Sequence, residues 1–262
     1  MTELQLQSVR IGEGATSRKI AFLQRPASGE GADKPGLVWL PGFKSDMAST
    51  KALALDENCA ERGRALLRFD YSGHGQSGGR FEDGTLSQWL EESLEVIRSR
   101  TRGPQILVGS SMGAYLALLA ARDLATSGES ARLAGLVLIA PAVDFTEALI
   151  WRAATPAARR AIMENGAWQR PSLYSADPYL ITRALIEDGR RHVLLGGAIR
   201  AHCRVAILQG MQDEEVPFAH TLTLLEHMAG DSATLTLIKD GDHRLSRPED
   251  IALLLSTIES FD

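Results

Sequence analysis

The sequence comprises 262 residues, of which 44% are hydrophobic and 23% charged, and its formal net charge at pH 7 is -5. This length fits one α/β domain that carries an insertion, and the composition is that of an ordinary globular protein. Because phosphate binding needs a basic surface, the acidic balance argues against nucleic acid as a partner. Two cysteines, Cys59 and Cys203, are too few for a disulfide framework and predict reduced thiols.

The N-terminal residues Met1 to Arg10 are polar, and no run of about 18 apolar residues occurs in the chain. We therefore expect no secretory signal, no membrane span and a cytoplasmic protein. The first two segments, 4–11 and 18–24, alternate between polar and apolar residues and favour an antiparallel edge of a sheet. Residues 27–35 are rich in glycine and alanine and predict a loop.

From there on, short apolar runs alternate with longer helical patterns. The predicted strands are Leu37–Leu40, Ala65–Phe69, Gln105–Val108, Leu136–Ala140, Val205–Leu208 and Leu235–Ile238. The predicted helices are Lys51–Arg62, Leu86–Arg100, Met112–Leu124, Phe218–Met228 and Glu249–Ile258. Because parallel strands that are buried on both faces form continuous apolar runs, the pattern predicts an α/β fold with a mostly parallel sheet and helices on both faces.

One interval interrupts this alternation. Residues 143–204 lack a convincing strand but show helical patterns at 145–163 and 175–187. A structureless loop of this length is improbable in a compact domain, so we predict an inserted helical cap at 143–204 and a core formed by 1–142 and 205–262. The cap contains nine arginines and six acidic residues. Some arginines are candidates for binding an anionic group of a substrate, the alternative being surface positions on amphipathic helices: Arg152, Arg159, Arg160, Arg170, Arg190 and Arg191.

The most informative motif is the run from Gly109 to Gly113, which follows a predicted strand and opens a predicted helix. G-x-S-x-G between a strand and a helix is typical of a nucleophile elbow. There the serine backbone is strained so that its hydroxyl projects above the sheet, and the small residues let strand and helix approach each other. Ser111, rather than Ser110, has glycine on both sides at the required spacing, so we predict Ser111 as the nucleophile.

A serine needs a base within hydrogen-bonding distance. His243 lies between the last predicted strand and the last helix, where the base belongs in the chain order serine, acid, histidine. Asp213 is the first acidic residue after the strand Val205–Leu208, and we predict that it accepts a hydrogen bond from His243 and fixes its tautomer. The alternatives for this acid are Glu214, Glu215, Asp242 and Asp144.

Two backbone amides are needed to bind the oxyanion. We predict that Met112 supplies one at the start of its helix and that Phe43, which follows Leu40-Pro41-Gly42, supplies the other. The glycine-rich turn at 68–77 lacks the ending of a phosphate-binding loop and is read as structural support. The cysteines lack the spacing of a metal site, so no metal and no cofactor are predicted.

Several of these segments resemble a known family. It is the α/β-hydrolase-domain acyl-protein thioesterases (depalmitoylases), also described as acyl-glucuronide esterases. The similar segments are Leu40–Phe43, Ser45–Met47, Thr50–Leu53, Arg68–Ser77, Gly103–Gly113, Trp168, Pro171–Ser175, Gly210–Asp213 and Asp242–Arg244. Thr50–Leu53 and Gly103–Gly113 are the more specific of them. The resemblance implies the α/β-hydrolase fold and a triad of Ser111, Asp213 and His243.

Together the residues and the resemblance predict a serine hydrolase. It would cleave carboxylic esters or thioesters through an acyl-enzyme intermediate, acting on a small molecule or an acylated protein. Two alternatives stay open: a carbon–carbon bond hydrolase or peptidase with the same triad, and a catalytically silent binding protein of the same fold.

Overall fold

A computed structural model describes residues 4–171, 178–230 and 232–262. Its strands are β1 Gln7–Ile11, β2 Arg18–Arg25, β3 Gly36–Leu40, β4 Leu66–Phe69, β5 Gln105–Ser110, β6 Leu133–Ile139, β7 Ala167–Arg170, β8 Tyr179–Thr182, β9 Arg204–Gly210 and β10 Ala233–Ile238. Its helices are α1 Thr50–Arg62, α2 Leu86–Arg100, α3 Met112–Thr126, α4 Pro156–Asn165, α5 Arg183–Gly189, α6 Phe218–His227 and α7 Pro248–Glu259.

The main sheet has eight strands in the order β1-β2-β4-β3-β5-β6-β9-β10. The pairs β1–β2 and β2–β4 are antiparallel, and every other pair is parallel. The N-terminal edge is therefore antiparallel, as the alternation of its residues predicted. The carboxyl ends of the parallel strands lie along one edge of the sheet, where the loops after β3, β5, β9 and β10 come together.

Helices cover both faces of the sheet, and alternate residues of one strand show this. On β5, Leu107 packs into the core layer that contains Trp89 of α2 and Tyr115 of α3. Its neighbours Ile106 and Val108 pack into the other layer, in which the strands meet residues of α1 and α7. Every position of β5 is buried, and its residues 106–108 form a continuous apolar run, so the predicted mostly parallel α/β sheet is confirmed.

The interval between β6 and β9 differs from the prediction in its secondary structure. Beside α4 and α5 it contains a two-stranded antiparallel sheet, β7–β8, whereas no strand was expected there. Each strand has four residues, too few for a period of two to stand out in the sequence. The expected helix at 175–187 begins only at Arg183, because the Thr182 side chain caps α5; residues 172–177 lie outside the described residues.

The other expected helix of this interval, at 145–163, is divided in two. A π-helix spans Thr146–Trp151, and α4 begins at Pro156. Proline at the first position of α4 explains the break, because it lacks the N–H that a continuing helix needs. Among the described residues, no helix is long and apolar enough to cross a membrane.

Candidate active site

The elbow between β5 and α3 places Ser111 in a backbone conformation that few residues adopt. Its φ is 54° and its ψ is -116°. The flanking glycines are required by space: a Cβ on Gly109 would lie 2.4 Å from the Gly113 carbonyl oxygen, and a Cβ on Gly113 would lie 2.0 Å from the Leu40 carbonyl oxygen. Gly109 therefore lets β5 and α3 approach each other, Gly113 lets α3 lie against the end of β3, and the strain is stored at the serine.

Ser111, His243 and Asp213 lie together at the carboxyl edge of the sheet. His243 Nε2 is 3.1 Å from Ser111 Oγ, and His243 Nδ1 is 2.8 Å from Asp213 Oδ2. Ser111 follows β5, Asp213 follows β9 and His243 follows β10. Thus 132 positions separate the serine from the histidine along the chain, and the parallel sheet brings them into contact. Their catalytic roles remain predictions.

The Asp213 carboxylate accepts hydrogen bonds on both oxygens. Oδ1 accepts the amides of Glu215 and Val216 at 2.9 and 2.8 Å. Oδ2 accepts Gln209 Nε2 at 3.1 Å in addition to His243 Nδ1. An ionised carboxylate only accepts hydrogen bonds, so the network assigns the proton of His243 to Nδ1 and leaves the lone pair of Nε2 toward Ser111.

Gln209 is a part of this site that the sequence analysis missed. The side chain is fully buried at the end of β9, and its Oε1 accepts the Thr221 hydroxyl at 2.7 Å. That bond orients the amide so that Nε2 faces Asp213. A polar residue directly after the apolar run Val205–Leu208 was the only signal in the sequence.

The alternative acids have other partners. Glu214 is exposed, and Glu215 forms an ion pair with Arg170 at 2.9 Å. Asp242 accepts the backbone amide three residues later at 2.9 Å. Asp144 accepts two backbone amides of the segment between α5 and β9, both at 2.8 Å. Of the candidates, Asp213 is therefore the acid that accepts a hydrogen bond from the His243 ring.

Other histidines are engaged away from Ser111. His220 Nε2 lies 2.8 Å from the backbone oxygen of Val143, and His192 Nε2 lies 2.7 Å from Ser87 Oγ. His74 is buried among aromatic rings in the glycine-rich turn, where desolvation lowers its pKa to about 4. It is therefore neutral at pH 7 and belongs to the structural support of the site.

The loop after β3 lies against the elbow. A Cβ on Gly42 would be 3.4 Å from Ser111 Cβ, and both Phe43 and Met112 line the cavity in front of the serine. Met112 is the first residue of α3, where an amide has no acceptor within the helix. These positions are compatible with the predicted oxyanion hole, whose role stays a prediction.

Aromatic side chains hold this loop. The ring of Phe43 contacts four others, with centroid distances from 4.8 to 6.0 Å: Phe81, Trp89, Phe145 and Tyr179. The ammonium of Lys44 lies 5.2 Å from the Phe81 centroid and 5.6 Å from that of Tyr179. The rings connect the loop to α2 and to the segment between β6 and β9, so they restrict the backbone that carries the Phe43 amide.

The cavity in front of Ser111 has a volume of about 460 Å³. Apolar lining comes mainly from α3 and the segment after β6: Met112, Ala142, Phe145, Leu149 and Ile150. Polar lining comes mainly from the start of α1 and from the two loops after β3 and β10: Lys44, Ser45, Ser49, Thr50, Lys51, Arg244 and Ser246. Arg170 and Glu215 also line the cavity. The site thus offers one apolar and one hydrophilic set of contacts.

Of the six candidate arginines between β6 and β9, Arg170 lines the cavity. Arg159 donates instead to the Trp151 carbonyl at 3.0 Å, and Arg190 pairs with Glu147 at 2.9 Å. Arg170 is itself paired with Glu215, so an anionic substrate would have to compete with that carboxylate.

Comparisons with known proteins identify the family. A family model described as "Alpha/beta hydrolase family" matches residues 36–252. The chain belongs to the alpha/beta hydrolase family. It is also 36% identical over 270 residues to the Bos taurus protein named "Palmitoyl-protein thioesterase ABHD10, mitochondrial", covering 98% of this chain and 84% of that protein.

Solved structures of hydrolases agree with this assignment. One from Agrobacterium vitis S4, described as a hydrolase, is 44% identical with a TM-score of 0.95 and covers 99% of both chains. Alpha/beta hydrolase domain-containing protein 10 from mouse is 31% identical with a TM-score of 0.84 and covers 97% of both chains. The predicted fold, the predicted enzyme class of serine hydrolase and the resemblance to the thioesterase family are confirmed.

The prediction of a cytoplasmic protein is wrong by the same comparison, because the relative from Bos taurus is named as mitochondrial. That prediction depended on two reduced cysteines and a polar N-terminal segment. Reduced thiols indicate a reducing compartment without distinguishing one such compartment from another.

Proposed function

We propose that this alpha/beta hydrolase cleaves acyl thioesters, and oxygen esters of the same acids, by transferring the acyl group to Ser111 and then to water. The observation that carries the proposal is the position of His243, whose ring bridges Asp213 at 2.8 Å and Ser111 at 3.1 Å. These hydrogen bonds form a relay from Asp213 through His243 to Ser111. In it the serine hydroxyl has a base that can accept its proton, which an ordinary surface serine lacks.

Acylation begins with attack of Ser111 Oγ on the carbonyl carbon while His243 Nε2 accepts the hydroxyl proton. Asp213 stabilises the imidazolium through Nδ1–H and keeps the ring in the required tautomer. The amides of Phe43 and Met112 donate to the oxyanion. When the tetrahedral intermediate collapses, the bond to sulfur or oxygen breaks, and His243 returns its proton to the leaving group.

Deacylation repeats these steps with water. His243 Nε2 accepts a proton from the water, whose oxygen attacks the acyl carbon, and the collapse of the second intermediate returns the proton to Ser111 Oγ. The products are the free carboxylic acid and the thiol or alcohol. Every proton transferred passes through one nitrogen, which explains why the ring must be held on its other side.

The substrate class is proposed from two observations. Relatives at 34–36% identity are named palmitoyl-protein thioesterases, and the cavity has an apolar set of contacts suited to an acyl chain. We assign the acyl chain to Met112, Ala142, Phe145, Leu149 and Ile150, and the leaving group, such as the cysteine of an S-acylated protein, to the hydrophilic contacts of Ser45, Ser49 and Thr50.

We further propose that residues 143–204 form a cap on a core made of 1–142 and 205–262. Phe145, Leu149, Ile150, Arg170 and Tyr179 all come from this interval and all line the cavity. Changes in the cap would therefore alter acyl-chain preference while the relay in the core stays intact.

The test is hydrolysis of a palmitoylated cysteine peptide, followed by thiol release and by intact mass of the protein during turnover. We expect thioester cleavage and an acyl adduct in the wild type, with both lost in Ser111→Ala. Ser99→Ala is the matched control, because Ser99 is an exposed serine on α2. Hydrolysis that persists in folded Ser111→Ala, or the absence of hydrolysis with any acyl chain from acetyl to palmitoyl, would contradict the proposal.

A further inference from the structure

Lys51, the second residue of α1, is a lysine in an unusual place. It is 8% exposed, although lysine is among the residues least often buried. It also lies at the amino end of a helix, where the helix dipole disfavours a positive charge. Desolvation lowers the pKa of Lys51 to about 8, with Asp242 and Asp250 opposing the decrease. A charge kept in such a position at an energetic cost points to a specific task.

The partners of the ammonium indicate that task. Lys51 Nζ donates to the backbone oxygen of Arg244 and, at 3.3 Å, to Ser246 Oγ. Both acceptors belong to residues 241–247, termed here the base loop because it carries His243. Arg244 directly follows the histidine, and 193 positions separate Lys51 from it along the chain. The contact therefore joins the start of α1 to the loop that presents the proposed base.

The base loop has reason to need such a contact. Leu245 has a φ of 43°, in the left-handed region that a branched side chain rarely adopts. Its amide donates to Asp242 Oδ1 at 2.9 Å, which closes a tight turn around the histidine. A strained turn persists only where its surroundings fix it, and the bond from Lys51 to Arg244 lies between His243 and the strained residue.

We propose that Lys51 is a positioning residue for His243: its ammonium holds the Arg244 carbonyl and Ser246, and thereby keeps Nε2 within reach of Ser111 Oγ. This inference rests on the proposed function, because it assumes that His243 is the base. Lys51 also lines the cavity, so direct contact with the substrate is the competing explanation that the experiment must separate.

The decisive variant is Lys51→Met, which keeps the length of the apolar stem and removes the donors. We expect kcat to fall by about tenfold to a hundredfold, the scale of a displacement of about 1 Å in a catalytic group, with KM within about twofold of the wild type. Lys51→Arg retains donors and charge and should recover part of kcat. Lys19→Met is the matched control, because Lys19 is exposed on β2 and does not line the cavity.

The same substitution in a His243→Ala background separates positioning from substrate contact. If Lys51 acts through His243, adding Lys51→Met to His243→Ala changes the residual rate by less than about twofold, since the two losses are not additive. An equal loss in both backgrounds, a loss confined to KM, or an unchanged kcat in folded Lys51→Met would each overturn the proposal.

Ser246→Ala keeps the test available if Lys51→Met fails to fold, because it leaves the buried lysine in place. It removes one acceptor of Lys51 Nζ and also the hydrogen bond that Ser246 Oγ donates to the Arg244 carbonyl at 3.0 Å. We expect a fall in kcat of about fivefold, the scale of one or two hydrogen bonds, that disappears in the His243→Ala background. The same fall in both backgrounds would contradict positioning. If the wild type is acylated at Ser111 and these variants behave like the wild type, only the positioning role of Lys51 is refuted. If the wild type is not acylated, the proposed function itself is refuted.

Discussion

Asp213→Asn changes one atom of the relay and makes a sharp prediction. In the wild type, Asp213 Oδ1 accepts two backbone amides, while Oδ2 accepts His243 Nδ1 and Gln209 Nε2. An asparagine must place its oxygen toward the two backbone amides, because its NH₂ would face two donors there. The NH₂ group then faces His243, whose Nδ1 has to become the acceptor. The imidazole proton moves to Nε2, and the lone pair that would accept the Ser111 proton is lost.

The size of the effect follows from that tautomer. A serine hydrolase with the wrong histidine tautomer loses about four orders of magnitude in kcat, which is about 5 kcal/mol of transition-state stabilisation. Folding should suffer less. The new NH₂ opposes Gln209 Nε2, and a buried donor without an acceptor costs about 1–3 kcal/mol.

The assay is steady-state hydrolysis of an acyl thioester by Asp213→Asn, with the free energy of unfolding measured in urea. The control is Asp240→Asn, because Asp240 is an acidic residue whose side chain is 79% exposed and pairs with Arg247. We expect the control to keep its activity within about twofold, as surface ion pairs contribute little. A folded Asp213→Asn with kcat within tenfold of the wild type would refute the orientation of His243 by Asp213.

Three further predictions concern stability and reactivity. Desolvation lowers the pKa of His74 from 6.5 to about 4, so His74 takes up a proton on unfolding between these pH values, and the free energy of unfolding falls by up to about 3 kcal/mol as the pH decreases through them. Urea unfolding at about pH 7 and about pH 4.5 should show a smaller loss in His74→Phe than in the wild type. An equal loss in both proteins would contradict this prediction. Gly113→Ala should destabilise the fold by at least about 3 kcal/mol, because its Cβ would lie 2.0 Å from a backbone oxygen. The control Gly196→Ala, whose Cβ would meet nothing closer than 3.9 Å, should change the free energy of unfolding by less than about 0.5 kcal/mol. Cys59 is buried, and desolvation raises its pKa to about 12, so it should resist alkylation by iodoacetamide in the folded protein while the half-buried Cys203 reacts. Peptide mapping that finds Cys59 alkylated as fast as Cys203 would contradict this prediction and show that the core opens.

The sheet was predictable because its strands are buried on both faces. Ile106, Leu107 and Val108 face alternate core layers, so the run has no polar interruption, and the helices between such runs could be placed to within a few residues. The elbow was predictable for a steric reason. Only glycine fits at 109 and 113, and both glycines can be recognised in the sequence because they lie two residues on either side of Ser111.

The contacts around the relay were not predictable in the same way, because they depend on neighbours distant in the chain. Lys51 reaches Arg244 across 193 positions, and Gln209 is oriented by Thr221 of the following helix. The hairpin β7–β8 was missed because strands of four residues leave too weak a periodicity. The ion pair between Arg170 of this hairpin and Glu215 could be recognised only from the structure, in which the hairpin lies beside the loop after β9.

The central claim is that Ser111 is an activated nucleophile, and the most direct test is labelling with a fluorophosphonate probe followed by peptide mapping of the adduct by mass spectrometry. We predict one adduct on Ser111 of the folded protein, absent in Ser111→Ala and formed much more slowly in His243→Ala. No adduct on the folded wild type, or an adduct on another serine at an undiminished rate in Ser111→Ala, would contradict the account.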